Sequence, residues 1–282
     1  MKSPRQFSRN RLALVTLGVI LIGAPAAAQS AEARPDCCRH GETEVTRWLK
    51  SADRWYAQFK PREALGDLQK ILQVAPDHFE ALIKTARAYI DIGDQIAENG
   101  DDWKERKLKE YSAAERYARR AVQVDGHSTW GHFWVAAAVG NIAMVSPIAK
   151  QLDLAGEIRD EVEKAIALDR KNGSAYHIYG VWHRKIAEIG ATSRMFANVL
   201  YGRSVPSGSL EKSIEYLQKA VELNPTVIIS RLELARSYIA TGAWAPARTM
   251  LRSIPDLPNQ FSDDAKHKEK AAQLLAEIKD SN

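Results

Sequence analysis

From about residue 45 onward, apolar positions recur every three or four residues, in blocks divided by short polar turns. That spacing belongs to amphipathic helices, and no stretch alternates as a strand would, so an all-α chain is predicted. Four block ends rhyme: Ile71-Leu-Gln-Val-Ala-Pro76, Ala121-Val-Gln-Val-Asp-Gly126, Ala165-Ile-Ala-Leu-Asp-Arg170 and Ala220-Val-Glu-Leu-Asn-Pro225. Each reads as the last turn of a helix and its stop. Pro76, Gly126 and Pro225 supply the stop chemistry, and Asn172-Gly173 finishes the turn after Arg170. Ten residues past the stops lie Ala86, Ala136, Gly180 and Ala235; five residues before them lie Ile71, Ala121, Ala165 and Ala220. Small residues at a fixed helical phase let neighbouring helices approach closely. The predicted helices run over about 79–98, 103–124, 129–145, 148–168, 174–201, 210–223, 228–241 and 246–252, and a last amphipathic one spans 264–279 with Ser262 as its N-cap.

Paired by their short turns, these helices form hairpins that stack as a solenoid. The pattern resembles the tetratricopeptide (TPR) repeat. Residues 228–261 fit its 34-residue frame without gaps, and so do residues 45–78, with Trp48, Ala52, Trp55, Ala64 and Leu68 in register. The middle copies are longer, because the stops lie 50, 44 and 55 residues apart. The fold class expected is therefore all-α: a TPR-like helical-hairpin solenoid with elongated middle repeats and a C-terminal capping helix. One stretch is more specific. Ala175-Tyr-His-Ile-Tyr-Gly-Val-Trp-His-Arg-Lys-Ile-Ala187 is followed by the apolar insert Met195-Phe-Ala-Asn-Val-Leu-Tyr-Gly202, and then by a new hairpin opening at Ser209. This order resembles the regulator of microtubule dynamics family and its bacterial TPR relatives, across roughly residues 45–278. The resemblance implies an all-α domain that acts by protein contact and is not an enzyme. Association with microtubules or organelle contacts, known for the family's eukaryotic members, is not carried over to an exported bacterial chain.

The N-terminus changes the picture of location. Residues 1–11 are basic, 12–24 are apolar, Pro25 breaks the run, and Ala26-Ala27-Ala28 offers a small-x-small cleavage site. This is a secretory signal pattern, and 13 apolar residues are too few for a comfortable membrane span. Residues 1–28 are thus expected to be a signal peptide, 29–42 a flexible mature N-terminus, and 43–282 the repeat domain, in a periplasmic or secreted protein. The signal also accounts for most of the charge excess. The whole chain of 282 residues has 40 Lys and Arg against 35 Asp and Glu; beyond residue 28 the balance is 36 against 35. A near-neutral chain argues against nucleic-acid binding, which needs clustered positive charge.

Chemistry is sparse. No phosphate-cradling glycine loop, nucleophile motif or helical His pair at metal spacing occurs. An enzyme site among His132, His177 and Asp91 is the weakest of the readings, and no cofactor is expected. The register instead points to an inner face for a protein or peptide partner, with Arg87, Trp130, Asn141, His177, Arg184, Lys185 and Arg236 as its contact residues and Leu232 among the apolar members. His183 falls at a packing position. The alternative is a periplasmic metal-binding or thiol-redox protein using Cys37, Cys38 and His40. The insert at 195–201 is expected to pack back on the solenoid, with membrane or partner-helix contact as its rival.

Overall fold

The computed structural model describes residues 36–189 and 206–281, with side-chain surroundings from Glu44 onward. Residues 1–28, where a signal peptide is expected, and the 195–201 insert lie outside the described residues. Among the described residues the chain is all-helical. Five hairpins follow one another: α1 (Asp36–Ala57) with α2 (Pro61–Val74), α3 (Phe79–Asp94) with α4 (Trp103–Val124), α5 (Thr129–Val145) with α6 (Ile148–Leu168), α7 (Gly173–Glu188) with α8 (Leu210–Leu223), and α9 (Ile228–Ala240) with α10 (Trp244–Arg252). A last helix, α11 (Asp264–Glu277), packs on α9 and α10. None of these helices is long and apolar enough to cross a membrane.

The rhyming stops become one recurring turn. Residues 75–78, 125–128, 169–172 and 224–227 each separate one helix from the next, and Pro76, Gly126, Arg170 and Pro225 take the same place in it. In each, the backbone N–H after the helix bonds back to the small or apolar residue four positions earlier: Ile71, Ala121, Ala165 or Ala220. Side chains then start the next helix where they can. His78 Nδ1 accepts from the Ala81 N–H at 3.2 Å, and Asn172 Oδ1 from the Ala175 N–H at 3.0 Å. Asn172 also donates to Thr129 Oγ1, which donates to the Ala165 carbonyl, so two successive turns are tied together.

The small residues sit where helices touch. Ala86, Ala136, Ala235, Ala121, Ala165 and Ala220 have no exposed surface, and Gly180 is buried. The first hairpin closes on Ala52, Ala64, Leu68 and Ile71 with Trp48 and Trp55 packed against them. The last buries Leu251, Ile254, Ala271 and Ile278 in one cluster with Ile228 and Leu232. In the second and third hairpins the extra length is mostly helix, with α4 at 22 residues and α6 at 21; in the fourth it falls between α7 and α8, which have 16 and 14 residues.

The boundaries differ from the sequence reading at four main places. Helix α7 ends at Glu188, with Ile189 as its C-cap, where the reading runs on to residue 201. Helix α3 stops at Asp94, and a loop continues to Asp102, turning at Gly100 with φ of 77°. The N-cap of α11 is Asp263 and not Ser262, because the Asp264 carboxylate instead ties down the preceding loop, accepting from the Gln260 and Phe261 N–H groups at 2.7 and 2.8 Å. Helix α1 begins at Asp36, so the backbone of Cys37, Cys38 and His40 is helical where a flexible lead is expected. The side chains of those three residues lie outside the described surroundings.

Candidate functional site

Helices α3, α5, α7 and α9 are the first members of their hairpins and follow one another across the stack. Their inner sides line a cavity of about 590 Å³. The loop between α10 and α11 closes its far side with Phe261, Ser262 and Asp263, and His267 of α11 joins them. That loop reaches back to the beginning of the chain. The guanidinium of Arg87, on α3, lies 4.5 Å from the Tyr56 ring and 5.7 Å from the Phe261 ring, a cationic contact sandwiched between two aromatic faces. Tyr56 is itself fixed, its hydroxyl donating to the Lys84 carbonyl at 2.6 Å.

Most of the cavity wall is apolar. Phe133, Ala137 and Met144 come from α5, Ile178, Val181 and Trp182 from α7, and Ile229 from α9. Trp182 is held in place by donating from Nε1 to the Ala155 carbonyl at 2.9 Å. The polar wall is uneven. Asp91 and Asp94 of α3 and Asp263 of the closing loop gather at one end, with His267, while Lys185 stands on α7.

Burial pushes the Asp91 carboxyl up to about 7; Arg87, 3.4 Å away, opposes the rise, and Asp94 and Asp263 add to it. Burial likewise raises Asp94 to about 6, Asp263 adding to the rise while the Tyr111 hydroxyl, which donates to it at 2.7 Å, Lys107 and His267 oppose it. His267 bridges two carboxylates, Nε2 lying 3.3 Å from Asp263 and Nδ1 3.5 Å from Asp264. Burial depresses His177, whose Nδ1 is 3.2 Å from Ser230 Oγ.

These raised carboxyls carry a pH dependence. An unfolded Asp titrates near ~3.9. Between that value and about 7 the folded chain holds more protons than the unfolded one, so stability falls as pH rises through this window. The amide in Asp91→Asn has no charge to desolvate. The variant is expected to exceed the native chain by about 1–3 kcal/mol in urea unfolding at pH 8 and to match it near pH 4. An equal effect at both pH values would refute this account.

The contact residues expected from the sequence divide sharply. Asn141, His177 and Lys185 line the cavity, and Arg87 sits at its edge beneath Phe261. Trp130 is 43% exposed, edge-on to Phe133, and is not among the lining residues. Arg184 and Arg236 do not present free cations. Arg184 is 5% exposed, pairs with Glu188 at 2.8 Å and bonds to Glu233, which also takes Arg236. Burial acts to raise the Glu233 carboxyl, but Arg184 and Arg236 outweigh it and hold it below the usual range. Leu232 is fully buried core. His132 lies away from the cavity, bonded to Glu161 at 2.6 Å and to the Gly126 carbonyl at 3.1 Å. His183 is buried against Tyr179 and Tyr216, and burial pushes it down to about 4, as a packing histidine requires. Asp94, Asp263 and His267 are absent from the sequence reading. Asp263, Asp264 and His267 have ligand atoms within 4.8 Å of one another; the loop N–H groups take Asp264 Oδ2, whereas Asp264 Oδ1 and His267 Nδ1 are buried without a hydrogen bond.

Stacked helical hairpins around an inner face define a TPR-like repeat protein, and comparison with solved structures agrees. The thermophilic TPR protein TTC0263 of Thermus thermophilus superposes with a TM-score of 0.59 at 15% identity, covering 82% of this chain and 99% of that one. The family model for regulator of microtubule dynamics protein 1-3 matches residues 48–279. This chain therefore belongs to the regulator of microtubule dynamics family. Its relatives include regulator of microtubule dynamics protein 1 of Bos taurus, 28% identical over 85% of this chain and 74% of that protein. The Rattus norvegicus protein of the same name is 30% identical over 68% of this chain and 61% of its own length.

Proposed function

We propose that the chain is an exported, non-enzymatic scaffold that docks a protein or peptide partner along its inner face. The observation that carries this is the inner surface of α3, α5, α7 and α9, which presents Asn141, His177 and Lys185 together in one lined depression. The TPR-like fold and relatives named as regulators fit protein contact better than catalysis. Export rests on the basic, apolar and Ala-rich segments in sequence before residue 29. An exported chain does not meet tubulin, so contact with proteins in general, and not with microtubules, is what the family lends here.

Contact residues are drawn from those facing the cavity or its edge: Arg87, Asn141, His177 and Lys185. Photo-crosslinkers placed at Asn141 and Lys185 should capture one discrete partner in cells, and a crosslinker at Glu222, on an exposed face of α8, should not. The same partner captured at all three positions would overturn inner-face docking. Fractionation should find the chain outside the cytoplasm with a mature N-terminus near Gln29. A cytoplasmic chain that retains residues 1–28 would refute export.

A further inference from the structure

The cavity has features that docking of a folded partner does not use. It measures about 590 Å³ and is enclosed on one side by the α10–α11 loop. This is the size of a small-molecule site, roughly 300–1,000 Å³, and too small for a folded partner. Its wall is mostly aliphatic and aromatic, which favours an apolar body. Three carboxylates converge at one end from two distant regions of the chain, Asp91 and Asp94 from α3 and Asp263 from the closing loop. Arg87 pairs with Asp91, whereas the hydrogen bond that Asp94 accepts comes from the neutral Tyr111 hydroxyl.

We propose that this cavity binds a small apolar molecule bearing a cationic group, an organic ammonium, with its charge at the Asp91, Asp94 and Asp263 end and its apolar body against Phe133, Val181 and Trp182. The inference goes beyond the partner reading and does not depend on it. Charge complementarity selects the occupant. Arg87 stands at Asp91 and His267 at Asp263, while Asp94 has the neutral Tyr111 hydroxyl; a carboxylate ligand would add repulsion to this partly buried group, and a neutral one would bring it no counter-charge. An ammonium brings the counter-charge together with N–H donors. Burial is the main cause of the raised Asp91 and Asp94 carboxyls, and Asp263 adds to both.

Three probes of matched length separate charge from size: octylammonium, 1-octanol and octanoate, titrated calorimetrically into the full chain at pH 8. Octylammonium is expected to bind at least tenfold more tightly than octanol, and octanoate not measurably. In Asp91→Asn/Asp94→Asn, whose side chains keep their shape, octylammonium should fall to the octanol level while octanol is unchanged. In Val181→Trp, which fills the cavity from α7, both should be lost with the helical circular dichroism intact. Octanol equal to octylammonium, octanoate as the tightest probe, or no binding by any of the three overturns the proposal. So does octylammonium binding that keeps its native strength in Asp91→Asn/Asp94→Asn or that survives Val181→Trp.

Discussion

Glu233→Ala is expected to destabilise the solenoid by about 3–5 kcal/mol, because it leaves the buried Arg184 guanidinium without its main counter-charge. Both side chains are nearly inaccessible, at 7% and 5% exposure, so water cannot take the place of the lost carboxylate. Glu188 remains as a partner of Arg184, but it is 42% exposed and solvent screens it. The loss also spans the stack: Arg184 belongs to α7 and Glu233 to α9, so the pair ties successive hairpins together. Urea unfolding measures the effect. The companion variant Arg184→Met/Glu233→Leu removes both charges and should recover most of the loss, since the Arg236 head, about one-third exposed, can turn to solvent. A double variant as unstable as the single one would mean that packing around Glu233, and not its charge, matters. Glu233 titrates below its ordinary value, so its share of stability is full above the unfolded value and is lost as pH falls through the folded one.

Arg184 also shows where sequence reasoning stops. Counting from the stop at Arg170 places it among the inner-face positions, and Lys185, its neighbour, does line the cavity. One residue turns about 100° around a helix, so a small error of phase moves a side chain from the groove to the seam between hairpins. The partner that holds Arg184 lies 49 residues away, and no local pattern announces it. Leu232 differs in its surroundings and not in its phase: it stands seven residues past its stop, as Phe133 and His177 do, but packs in one core cluster with Leu251 and Ala271. The hairpins themselves were legible because their signals are local: a stop, a small residue ten positions on, and a small or apolar one five positions back. The acidic end of the cavity was not legible. It exists only because the stack turns far enough to bring the loop at Phe261 back against Tyr56 and Arg87, about 200 residues earlier in sequence at its widest reach. Asp91 figures in the sequence reading as a candidate site residue and Asp94 does not, and neither announces an acidic cluster until that closure is known.

The second large effect concerns Gly180, where the sequence pattern and the packing agree. A Cβ on Gly180 would lie 2.5 Å from Leu217 Cγ and 3.1 Å from both the Leu217 nitrogen and the Ser213 carbonyl oxygen. The leucine end can swing away, but the α8 backbone cannot move without prising the two helices apart. That backbone is also pinned, because Ser213 Oγ donates to the Gly180 carbonyl at 2.7 Å and lies 2.8 Å from Ser237 Oγ of α9. Gly180→Val is therefore expected to cost about 3 kcal/mol or more, since it overpacks a seam and breaks a buried hydroxyl link. Glycine in a helix interior is otherwise a liability of about 1 kcal/mol relative to alanine, which supplies the control. A Cβ at Gly66 in α2 meets nothing within 4 Å, so Gly66→Ala should stabilise the chain by up to ~1 kcal/mol. If Gly180→Val unfolds in urea with the native midpoint, α7 and α8 are not held as closely as the Ser213 link requires. A destabilised Gly66→Ala would instead show that helix propensity does not set the baseline for this comparison.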